Sequence, residues 1–113
     1  MKQTIVSYTR GFNILLGDRH SQAGTLVIGP GQSVGGAENR HGGADQWIYV
    51  ASGTGVADIA GQRVNLAPAS LILIQRGDPH AFRNTGSADL CLLTFYTPPA
   101  HDDQENELPA GRP

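Results

Sequence analysis

Short apolar runs set off by turn residues make up most of this chain. Thr4–Tyr8, Phe12–Leu16, Thr25–Ile28, Trp47–Ala51, Val56–Ala60, Leu71–Ile74 and Leu90–Tyr96 are rich in β-branched and aromatic residues. Gly17, Gly29-Pro30-Gly31, Gly35-Gly36, Gly42-Gly43, Gly53, Gly55, Gly61, Gly77 and Gly86 punctuate them. Runs of this length at this spacing predict an all-β sandwich or barrel. No window of about 11 residues before the C-terminal stretch carries a helical apolar stripe. Some runs are two-sided. Leu90–Tyr96 is apolar at both odd and even positions through Leu93, and Leu71-Ile72-Leu73-Ile74 is apolar throughout. Both are expected between covering layers, as core. In Val56–Ala60 the alternation is imperfect, because Asp58 shares a face with Val56 and Ala60. From Pro98 the chain turns polar, with Asp102, Asp103, Glu105 and Glu107 and no large apolar residue before Leu108. The reading is one domain over 1–97 and a polar tail over 98–113, with His101 a solvated tail residue.

Composition narrows the function classes. At 113 residues and 39% hydrophobic, the chain can bury one core. A net charge of −2 with scattered Lys and Arg gives no basic stripe for nucleic acid or an anionic membrane. No apolar run approaches the roughly 20 residues that span a bilayer. The segment Met1–Tyr8 lacks a long apolar stretch and a small-residue cleavage site, so no signal peptide is expected. Cys91 is the only cysteine, which excludes an internal disulfide and fits a reducing cytoplasm.

The candidate chemistry lies in two segments. The first runs from Asn39 through His41 and Gln46 to Gly55, the second from Gly77 through His80 to Gly86. Residues two apart on a strand share a face, so Asn39 goes with His41, and His80 with Phe82 and Asn84. Gln46 is an odd number of residues from His41 and joins that face only if the chain turns between them. Gly42-Gly43 suits such a turn. A hairpin returning Gln46 beside His41, with His80 on a third strand, would gather two imidazoles and two side-chain amides. Trp47 and Tyr49 alternate away from Gln46 and are expected outside the barrel, where an exposed aromatic pair suggests a dimer interface or a second layer. His20 sits in a polar loop, Cys91 reads as a small buried apolar residue, and Asn84 reads as a backbone-binding turn residue.

These segments resemble the two motifs of the cupin family, Gly-x5-His-x-His-x3–4-Glu-x6-Gly and Gly-x5-Pro-x-Gly-x2-His-x3-Asn. The first falls at about 35–55 and the second at about 61–84. Asn39-x-His41 stands at the His-x-His pair. Gln46 stands at the glutamate, four residues after His41 and six before Gly53. His80 and Asn84 match the closing His-x3-Asn, while Gly61 and Pro68 lie one residue further apart than the pattern. The resemblance implies a cupin-type antiparallel β-barrel, a double-stranded β-helix or jelly roll, and homodimerisation. It also implies a divalent metal (iron, manganese, nickel or zinc) held by positions 39, 41, 46 and 80.

Carried over residue by residue, the ligand set is Asn39, His41, Gln46 and His80, with only two imidazoles kept. Amide oxygens bring no charge and bind transition metals less well than imidazole or carboxylate. Such a neutral set would hold an ion less firmly while leaving it a stronger Lewis acid. Asn39 stands open between a ligand and a donor to a ligand. Asp45 is an alternative carboxylate, but it misses the spacing to Gly53 and points to the other face of a regular strand. Ile48 and Phe82 are expected as pocket walls. The implied function is a metal-dependent enzyme on a small organic molecule, of dioxygenase or isomerase type. The alternative is a metal-free binding or sensing module for a sugar or small hydroxy acid.

Overall fold

The structure, a computed structural model, describes residues 1–36 and 43–101. These residues form strands and turns without a helix. The strands are β1 (Gly11–Gly17), β2 (Gln22–Ile28), β3 (Ser33–Gly36), β4 (Asp45–Ser52), β5 (Gly55–Ile59), β6 (Gln62–Leu66), β7 (Leu71–Ile74), β8 (His80–Asn84) and β9 (Leu90–Thr97). They pair antiparallel in two sheets, β1-β2-β9-β4-β7 and β3-β8-β5-β6. From β2 onward, the connections that cross between the sheets give the strand order of a jelly roll.

The inner faces supply the core. Leu26 and Ile28 of β2, Ile48 and Val50 of β4, Ile74 of β7, and Leu90 and Leu92 of β9 meet Ala57 of β5, Leu66 of β6 and Phe82 of β8. Each fits the period of two along its strand. The inward rows change character along the sandwich. Inward positions run Leu90, Leu92, Thr94, Tyr96 on β9, Val50, Ile48, Gln46 on β4, and Ile28, Leu26, Gly24, Gln22 on β2. The register sets Gln22, Tyr96 and Gln46 in one cross-strand row. One end of the interior is therefore apolar and the other polar, and the polar end forms the site.

Asn84 closes the apolar end. It is fully buried, its Nδ2 donates to the carbonyls of Ile28 and Ala88 at 2.8 Å each, and its Oδ1 accepts from Gly86 N at 2.8 Å. Near it, Gly53 has φ of +89°, and a Cβ there would lie 2.5 Å from the Asp89 carbonyl oxygen. Both the dihedral and the close approach require glycine.

The structure departs from the sequence reading in four places. Thr4–Tyr8 forms no strand; the run has no ladder partner and lies outside the sheets, with Ile5 exposed. Burial raises the Tyr8 phenol above its ordinary value, and neighbouring Cys91 and Tyr49 add to the effect. Next, β7 is an edge strand, not a layer between layers: Ile74 is buried while Leu71 and Leu73 are 62% and 42% exposed. On β9 the outer face is likewise only partly covered, since Phe95 is exposed. Strands β3 and β6 were not expected, because residues 33–35 and 62–65 are exposed and each stretch holds a single apolar side chain, Val34 or Val64.

Candidate functional site

The polar end of the interior is a cavity of about 140 Å³ lined by Phe12, Leu26, Val34, Gln46, His80, Phe82, Tyr96 and His101. Four strands deliver its polar groups or their supports. Gln46 comes inward from β4 and is 3% exposed. Its Nε2 donates to Thr94 Oγ1 at 3.0 Å and to the Tyr96 hydroxyl at 3.1 Å. Its Oε1 is buried with no hydrogen-bond partner among the described residues. An acceptor left in that state costs about 1–3 kcal/mol unless something in the cavity supplies a donor or a cation.

His80 enters from β8 and is 2% exposed. Its Nδ1 lies 3.0 Å from the Asp78 carbonyl oxygen. A carbonyl only accepts, so Nδ1 carries a proton, and in the neutral imidazole Nε2 then carries the lone pair. This is the tautomer of an imidazole ligand whose other nitrogen is oriented by a backbone carbonyl. The Phe82 ring, 5.8 Å from the His80 ring centre, supports it from two residues along the same face. The site thus brings the Gln46 amide and the His80 imidazole to one cavity.

The other sequence candidates fall as follows. Asn39 and His41 lie outside the described residues. Phe82 lines the cavity and also belongs to the core, whereas Ile48 is fully buried in the core and is not among the described lining residues. Asp45 points to the other face of β4, where its carboxylate accepts from Arg76 N at 2.9 Å and Arg76 Nε at 3.3 Å. The Arg76 backbone hydrogen bond, and then the guanidinium, hold the Asp45 carboxyl below its ordinary range. A carboxylate so engaged is not a cavity group. Among the described residues no three His, Cys, Asp or Glu side chains stand together as a metal cluster.

His101 is the clearest correction. It is not a solvated tail residue. Its backbone N donates to Gln22 Oε1 at 3.1 Å, and its carbonyl accepts from Gln22 Nε2 at 2.8 Å. Its ring packs 4.6 Å from Phe12 and 4.9 Å from Tyr96, centre to centre. Thr94 and Tyr96 were also missed, though a signal exists: they occupy the inward positions of β9 after Leu90 and Leu92, where an apolar row turns polar. Beside the cavity, Gly36, Asp58, Gly61, Pro79, His80 and Ala81 line a second depression of about 320 Å³.

A cupin domain model matches residues 24–96. Solved structures share the fold. A Bacillus halodurans protein is 27% identical, with a TM-score of 0.76 over 88% of this chain and 76% of its own. A predicted oxalate decarboxylase of Thermotoga maritima is 25% identical, with a TM-score of 0.69 over 78% of this chain and 79% of its own. KdgF from Halomonas is 18% identical, with a TM-score of 0.72 over 82% of this chain and 80% of its own. The comparison with curated proteins gives no match.

Proposed function

The chain belongs to the cupin family, and we propose that it is a metal-dependent member acting on a small organic molecule. The observation that carries this reading is the buried, unpartnered Oε1 of Gln46 beside the His80 imidazole, whose Nδ1–H is held by the Asp78 carbonyl. An amide oxygen and an imidazole lining one cavity are both donor types for a divalent cation. His80 and Gln46 would hold it, joined through the family resemblance by His41 and Asn39. A bound divalent ion would supply Lewis acidity toward a substrate oxygen. The protein's own groups bind and orient. Thr94 and Tyr96 fix the Gln46 amide, and Phe12, Leu26, Val34 and Phe82 form apolar walls that limit water. A cavity of about 140 Å³ suits a ligand well below drug size. The Thermotoga neighbour's name is in keeping with a small organic acid.

Elemental analysis of protein purified without chelator or affinity tag tests the reading, beside the His41→Ala, His80→Ala double variant. Near-stoichiometric iron, manganese, nickel or zinc in the parent and loss of it in the variant is expected. No metal in either, even after reconstitution with all four, sinks it.

The second reading is a metal-free module for a hydroxylated ligand. The unpartnered Gln46 Oε1 favours it, because a sugar or hydroxy-acid hydroxyl can donate to that oxygen without any ion. A bare carboxylate would instead face the lone pairs of that oxygen and needs the cation. Stabilisation by sugars in a thermal-shift screen with chelator present would select this reading.

We also propose that the outer face of the five-stranded sheet mediates homodimerisation. Trp47, Tyr49, Leu71, Leu73 and Phe95 are all exposed. The register sets Trp47 between Leu73 and Phe95, and Tyr49 opposite Leu71, so the five side chains form one patch. Light scattering should give twice the chain mass, and Trp47→Arg should shift it to monomer. A monomeric parent at all concentrations removes this proposal.

A further inference from the structure

We infer that His101 is a working member of this site, supplying a further imidazole donor to the cation held by His80 and Gln46. This rests on the metal-binding reading above. The sequence beyond Pro98 is polar, and a residue there has no cause to be ordered unless something holds it. Here the hold is specific. Gln22, 8% exposed on β2, makes both available amide–peptide hydrogen bonds to the backbone of His101, across 79 residues of sequence. The adjacent Ala100 is 4% exposed, so the segment is seated on the barrel. The imidazole then lies against Phe12 and Tyr96 and lines the same cavity as Gln46 and His80. Tyr96 links the two groups, its hydroxyl accepting from Gln46 and its ring in a T-shaped contact with His101.

The chemistry supplies a reason for the placement. The family pattern places three imidazoles and a carboxylate about the ion, whereas this chain has amides at positions 39 and 46. Imidazole binds divalent transition metals better than an amide does. A histidine brought in from beyond the last strand would restore the lost imidazole without changing either motif.

The test is Zn(II) binding to the parent chain and to His101→Phe, which keeps a ring between Phe12 and Tyr96 but removes both nitrogens. Losing a group that only orients a ligand weakens metal affinity about 10–100-fold, so losing a direct donor should weaken it at least about tenfold. The melting temperature of the metal-free variant should stay near that of the parent. Equal Zn(II) affinity in parent and variant overturns the role of His101 while leaving the metal reading intact. No binding by the parent of Zn(II), or of Fe(II), Mn(II) or Ni(II) titrated in the same way, overturns both. Should His101→Phe fail to fold, side-chain 15N resonances of the unsubstituted protein decide. A His101 ring nitrogen that shifts strongly on adding Zn(II) supports the inference, and an unmoved pair overturns it.

Discussion

Asn84→Ala should lower the free energy of unfolding by about 3–4 kcal/mol and the melting temperature by roughly 12–20 °C. The side chain is fully buried and makes three hydrogen bonds of 2.8 Å to backbone groups of three separate residues, Ile28, Ala88 and Gly86. Alanine strands two carbonyls and one N–H at the closed end of the sandwich. Each orphaned buried group costs about 1–3 kcal/mol, less where water reaches it. The bonds to Ala88 and Gly86 are only part-buried, which holds the sum below three full penalties. Against a domain stability of about 5–15 kcal/mol this is a large fraction. Asn84→Asp separates hydrogen bonding from shape. It keeps the acceptor for Gly86 N but turns a carboxylate oxygen toward two carbonyls, so it should destabilise at least as much as alanine. Urea unfolding of the three proteins measures this. A loss under about 1 kcal/mol for both variants would mean that water replaces the network.

The fold was legible where the period of two was unambiguous. His80, Phe82 and Asn84 do share one buried face of β8, and Trp47 and Tyr49 point outward while Gln46 and Ile48 point inward. What the pattern did not contain was the layer a run belongs to. Four apolar residues in succession look the same whether one face of the sheet is covered or both, and Leu71 and Leu73 are exposed because they lie on its uncovered outer face, with Trp47, Tyr49 and Phe95. Strands β3 and β6 were hidden for the opposite reason. Their side chains mostly face solvent, so their identity as strands comes from ladders with β8 and β5 rather than from hydrophobic patterning.

The site divides along the same line. The family-like spacing of Gln46 and His80 marks inward positions on the two facing sheets, and a motif records such positions directly. The contacts made by His101 depend on Gln22 at the other end of the chain and on Phe12 of β1. No local pattern encodes a contact between residues 79 positions apart, and a polar, acidic context conceals it further. Tyr96 lies between these cases. Its inward parity was readable, but its link to Gln46 needed the β4–β9 register.

Gln46→Glu should raise Zn(II) affinity at least about tenfold, or about 1.4 kcal/mol, while lowering the melting temperature of the metal-free protein. The two effects have one cause. The amide is 3% exposed and neutral, and a carboxylate in its place must lose its hydration inside an apolar-walled cavity. The hydroxyls of Thr94 and Tyr96 donate as readily as they accept, so they can turn to satisfy one carboxylate oxygen. The second oxygen takes the place of the unpartnered Oε1, where only a donor or cation relieves it. Without metal the substitution therefore adds a buried charge, and with metal it adds a charged ligand opposite a cation. Calorimetric titration with Zn(II), together with melting curves in chelator and in excess Zn(II), reads both sides of this balance. The melting curves should cross, with the variant below the parent in chelator and above it in Zn(II). An unchanged Zn(II) affinity would place Gln46 away from the ion, whereas no Zn(II) binding by either protein would favour the metal-free reading, in which the amide oxygen accepts from a ligand hydroxyl.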